Sequence, residues 1–124
     1  MPYKTSRERF EELAGDALRS IPKKFRRKFR NVAIIVEDYP AKNIVEEMQI
    51  PRNELMGLFS GRPVGEDGGF FEIPSPYPNT IHLYQKNIEE ACSSEADLIV
   101  EIRKTMLHEV GHYFGLSEND LDDL

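Results

Sequence analysis

A chain of 124 residues, 40% hydrophobic and 31% charged, has apolar material for one buried core and reads as a single domain, 1–124. No stretch of about eighteen apolar residues occurs, so a membrane-spanning helix is not expected; the one cysteine, Cys92, excludes an internal disulfide and a thiolate-cluster zinc site. The net charge of −6 argues against a polyanionic partner, and the polar N-terminus is unlike a secretory signal, so a cytoplasmic protein is expected.

Thr5-x-x-Glu8 has the form of a capping box, and Phe10, Leu13, Ala14, Ala17, Leu18 and Ile21 follow at helical spacing. A first helix ending at Pro22, with a packing role, is the expectation. Residues 19–30 carry seven basic side chains and no acid. Ile21, Phe25 and Phe29 recur every fourth residue there, which predicts the solvated face of a short amphipathic helix rather than a nucleic-acid surface. Residues 32–36 are apolar in succession and rich in β-branched types, the pattern of a central strand buried on both faces. Glu37 and Asp38 then fall in the turn before Pro40.

A short helix from Ala41 to Gln49 rests on Ile44, Val45 and Met48, closed by Pro51. Leu55 to Phe59 reads as a strand in which Gly57 marks a bulge or a close backbone approach. Residues 61–78, dense in glycine and proline, read as a loop flanking a cleft, with a short strand at 70–73. Ile81 to Gln85 form the last strand, sending Ile81 and Leu83 one way and His82 and Tyr84 the other. Tyr84 could stabilise an oxyanion, but a half-exposed strand tyrosine is the expectation.

The final helix is predicted over Glu95 to Phe114, capped by Ser93 or Ser94 and stopped by Gly115. Ile99, Ile102, Met106, Val110 and Tyr113 form one apolar stripe; Val100, Leu107 and Phe114 form a second, so this helix should be central and buried. It carries His108-Glu109-x-x-His112, the pattern of helix-borne zinc sites. Four residues on a helix place both imidazoles on one face, one turn apart, where they can grip one Zn²⁺. Glu109 stands beside them as a candidate general base.

The continuation to Gly115 and Glu118 resembles the H-E-x-x-H-x-x-G-x-x-(H/D) arrangement of zincin metallopeptidases. The whole is similar to the small bacterial zincin-like metallopeptidase family, sometimes described as a minimal zincin fold. The similarity extends through Ile21-Pro22-x-x-Phe25, residues 31–38, residues 55–61 and Thr80 to Tyr84. It implies an α+β fold, a small mixed sheet packed on an N-terminal helix and the long motif helix, with metal-dependent peptidase activity. It also implies a third zinc ligand at position 118, where the family usually has aspartate and this chain has Glu118. Asp120 is the next candidate and His82 a rival. The metzincin Met-turn is absent. The expectation is a monomeric zinc peptidase acting on peptide or protein substrates, without nucleic acid or membrane. A metal-stabilised binding or regulatory module without turnover is the alternative.

Overall fold

The computed structural model describes residues 2–22, 32–60 and 79–113, with the backbone alone at positions 60, 79, 110, 112 and 113. These contain α1 (Arg7–Arg19), β1 (Val32–Glu37), α2 (Lys42–Met48), β2 (Gly57–Ser60), β3 (Asn79–Tyr84), α3 (Gln85–Glu90) and α4 (Glu95–Tyr113). The strands form a mixed sheet in the order β1-β3-β2, with β1 parallel and β2 antiparallel to β3. Helices α1 and α4 pack on one another and on this sheet, so the fold is α+β. The basic segment 23–30, the loop 61–78 and everything from Phe114 onward, including Gly115, Glu118 and Asp120, lie outside the described residues. Among the described residues no helix is long and apolar enough to cross a membrane.

Helix α1 forms where the periodicity places it, burying Phe10, Leu13, Ala14 and Ala17 along one face. Burying a side chain of the size of Phe10 or Leu13 contributes about 1.5–3 kcal/mol. Its cap is Ser6, one residue past the expected Thr5: the Ser6 hydroxyl accepts from the Arg9 N–H at 3.0 Å. Thr5 is held outside the helix because its N–H donates to Glu89 (2.9 Å) and its carbonyl accepts from Gln85 (3.0 Å).

The sheet corrects the expectation for residues 32–36. β3, not β1, is the middle strand, and β1 lies at the edge of the described sheet with Ile35 43% exposed and only Val36 buried. An apolar run marks a strand but does not rank it within the sheet. The central position covers β3 on both faces, so Ile81 and Leu83 are fully buried and Tyr84, expected to be half-exposed, is 1% exposed. Gln85 does not end this strand; it opens α3, a helix of six residues, too short to show a period. α2 buries none of Ile44, Val45 and Met48, and it stops at Gln49, whose backbone is left-handed with φ of 55°.

Buried polar groups join these elements. Arg7 donates through Nε to Gln85 (2.7 Å), through Nη1 to the Val36 carbonyl (2.9 Å), and through Nη2 to Asp38. Gln85 in turn donates to Glu89, which is 2% exposed. The start of α1, the end of β1 and α3 are thereby fixed to one another at the end of the sheet where β3 passes into helix.

Helix α4 begins at a reciprocal cap: Ser94 Oγ accepts from the Asp97 N–H at 3.1 Å, and Asp97 accepts from the Ser93 N–H at 3.0 Å. Leu98, Ile102 and Met106 are fully buried against α1 and the sheet, while Ile99 and Val100 are 44% and 64% exposed. The helix is therefore buried along one face rather than on most sides. The two expected stripes mix that face with the solvent side, and Leu98 belongs to neither.

Candidate active site on the motif helix

His108, Glu109 and His112 all fall within α4, so the four-residue spacing of the histidines is one helical turn. His108 and Glu109 open onto a cleft of about 270 Å³. One wall is the segment leading into β2, Glu54 to Gly57; the other is the α4 face carrying Glu101, Lys104 and Thr105 ahead of the motif.

The walls are held close by small and polar groups. A Cβ on Gly57 would stand 2.7 Å from Thr105 Cγ2 and 3.1 Å from the His82 carbonyl oxygen. Only glycine lets the strand approach the motif helix this closely, as the sequence suggested for this position. Asn87, 4% exposed on α3, donates to the carbonyls of Arg52 and Leu55, both at 2.7 Å, and so fixes the β2 wall from behind. The Arg52 guanidinium lies 4.0 Å over the Tyr39 ring.

The protonation pattern of His108 follows from one contact. Its Nδ1 lies 2.9 Å from the Lys104 carbonyl oxygen, one turn back on the helix. A carbonyl only accepts, so Nδ1 carries the hydrogen, and in the neutral ring Nε2 then carries the lone pair. This backbone-oriented imidazole is the form that ligates a metal through Nε2. The donor chemistry therefore fits zinc at His108. The position of His112 on the next turn fits it as well.

Tyr84, two residues after His82 on β3, shares the His82 face of the sheet and does not line the cleft. Burial pushes its phenol above the usual tyrosine range, and the carboxylates of Glu37 and Glu109 push in the same direction. The phenol stays protonated, within electrostatic range of Glu109. Its ring lies nearly parallel to that of His82, at 6.5 Å and 13°.

His82 is placed elsewhere. Leu83 shares the α4 side of the sheet with Gly57, so alternation turns His82 away from the motif helix. Its Nε2 is 3.8 Å from Glu37 Oε1, and it does not line the cleft. Among the described residues no three histidine, cysteine or acidic side chains converge as a metal-holding group. Glu118 and Asp120, the other candidates for third ligand, fall outside the described residues. Asn87 is a contribution that sequence reasoning missed. Glu101 was missed as well, although seven residues before His108 means the same helix face two turns away.

Residues 29–124 match the model of a family described as zincin-like metallopeptidase. Among curated proteins, no sequence matches the chain significantly.

Proposed function

We propose, because this chain belongs to the zincin-like metallopeptidase family, that it is a zinc-dependent enzyme hydrolysing peptide bonds in the α4 cleft. The observation that supports this reading is the His108 Nδ1–H donated to the Lys104 carbonyl in a cleft also lined by Glu109, since an imidazole so oriented would ligate zinc through Nε2. His108 and His112 would hold one Zn²⁺, with Glu118 as third ligand and Asp120 next in preference. The chemistry that a bound zinc ion supplies is Lewis acidity toward water and toward the scissile carbonyl.

The protein's own part is the movement of one proton. Glu109 takes it from the attacking water as the water oxygen bonds to the carbonyl carbon, then delivers it to the nitrogen as the C–N bond breaks. The nearby Tyr84 phenol stays neutral, so it adds no competing negative charge. Substrate backbone would lie extended along the wall formed by residues 54–57, in the manner of strand addition.

Zinc stoichiometry tests the site. The wild-type protein is expected to hold about one zinc and His112→Ala close to none, since tetrahedral sites need their full ligand set. Glu118→Ala should weaken zinc about 10-fold or more, and His82→Ala should leave it unchanged. Undiminished zinc in His112→Ala would remove the motif as a metal site.

A further inference from the structure

The wall of the cleft that faces the motif helix has little regular structure of its own. Residues 51–56 belong to no helix or strand, and β2 begins only at Gly57. Among the described residues, this segment makes two backbone bonds: Glu54 N–H to the Pro51 carbonyl and Tyr84 N–H to the Met56 carbonyl, both at 2.9 Å. Between them a side chain holds the chain. Asn87 Nδ2 donates to the carbonyls of Arg52 and Leu55, both at 2.7 Å. These two acceptors bracket Glu54, and both Glu54 and Leu55 line the cleft.

The presence of asparagine here is informative. Asn87 is 4% exposed on α3, beside a fully buried Ile88. Burying an amide is costly unless its hydrogens are paired, and an apolar side chain would fill the space without that cost. Both partners are carbonyls, which only accept, so the NH₂ end of the amide faces them and its two hydrogens match two acceptors. The bonds therefore set the direction of the wall as well as its distance from α3.

We infer that Asn87 is a positioning residue for substrate: it holds residues 52–55 where an extended peptide can pair beside His108 and Glu109, and it takes no part in metal binding. This rests on the reading of the cleft as the peptidase's substrate site. Strand addition needs the donors and acceptors of the wall in step with those of the peptide, so a small displacement of the wall weakens several pairings at once. His108 is oriented by the Lys104 carbonyl within α4 itself, and loss of the Asn87 bonds leaves that contact in place. Substrate affinity and metal binding should accordingly separate.

Steady-state kinetics of zinc-loaded wild type, Asn87→Asp and Asn87→Ser test this, on the peptide that the wild type cleaves best from a broad quenched-fluorescent library. Asn87→Asp keeps the shape but turns an acceptor toward both carbonyls, whereas Asn87→Ser retains one donor and adds no charge. KM should rise about 10-fold or more in Asn87→Asp and about 2- to 5-fold in Asn87→Ser, with kcat and zinc content within about 2-fold of wild type. Hydrogen exchange read by mass spectrometry should quicken at residues 52–57 and stay unchanged along α4. If Asn87→Asp does not fold, Asn87→Ser carries the same comparison. An unchanged KM in a folded variant overturns the role of Asn87 and leaves hydrolysis standing. Lost zinc or faster exchange along α4 also overturns it, because Asn87 would then support the motif helix rather than the wall. No cleavage by zinc-loaded wild type contradicts the hydrolysis reading, and the substrate role falls with it.

Discussion

Two polar regions of this molecule are built from the same side-chain types and serve opposite ends. At the junction of α1, β1 and α3, Arg7, Gln85, Glu89 and Asp38 bond to one another and to the backbone of Thr5 and Val36, while Glu89 Oε1 has only Lys86 Nζ at 3.9 Å. In the α4 cleft, Glu54 and Glu101 have no such partners among the described residues. Buried polar groups bonded to one another hold a structure in one arrangement. Surface carboxylates without a partner contribute little to stability wherever they lie, and Glu8, Glu11, Glu46, Glu47 and Glu90 are in the same condition outside the cleft. Burial with partners marks the scaffold; the lack of a partner does not by itself mark the site.

That comparison makes its largest demand at Glu89. Glu89→Ala removes the acceptor of both the Thr5 N–H and the Gln85 amide, leaving two donors without it. The expected cost is about 2–3 kcal/mol in urea unfolding, whereas Glu101→Gln should stay within about 0.5 kcal/mol. Similar costs at the two positions would dissolve the distinction between the regions. An intermediate effect is expected at Gly57, where the two walls meet. Gly57→Ala forces Thr105 or the strand to move, which should cost about 1–3 kcal/mol, as overpacking does. Thr105→Ser in the same chain should restore part of it, because it removes the methyl carbon in the way. No recovery would mean that the His82 carbonyl, not the motif helix, limits the approach.

The smallest effect concerns Cys92, buried at 3% exposure. Burial first, then Glu101, Asp97 and Glu89, push its thiol up to about 11. The folded chain thus holds the proton more tightly than the unfolded one. Its contribution to stability is intact below pH 9 and is lost as pH rises through 11. Disulfide reagents at pH 8 should modify it only after urea is added. Rapid modification of the native protein would show that the pocket around α3 opens readily.

How much of this was legible in the sequence depended on whether the signal was local. α1 and α4 announced themselves by apolar spacing and by cap residues at their starts: Ser94 caps where expected, and the α1 cap falls on Ser6, one residue past the expected Thr5. Gly57 was legible because a glycine within a strand has few reasons to be there. The rank of β1 within the sheet was not legible, since an edge strand and a central strand differ in neighbours rather than in their own residues. The scaffold network joins residues separated by up to 84 positions, as between Thr5 and Glu89, and no window along the chain contains it. Asn87 was overlooked for the same reason: it acts across elements, on the β2 wall. The site's motif residues, by contrast, lie within five consecutive positions of one helix, and the spacing alone placed them on it.

The central claim, that this cleft hydrolyses peptides with Glu109 as the base, is tested most directly by Glu109→Gln. The amide keeps the shape of the side chain but cannot accept a proton from water. Both proteins would be loaded with zinc, checked for equal metal content and melting temperature, and assayed on a broad quenched-fluorescent library of unstructured peptides. The account predicts equal zinc, an unchanged melting temperature and cleavage reduced about 10²-fold or more in the variant. Cleavage by the metal-loaded Gln variant at the wild-type rate would contradict it.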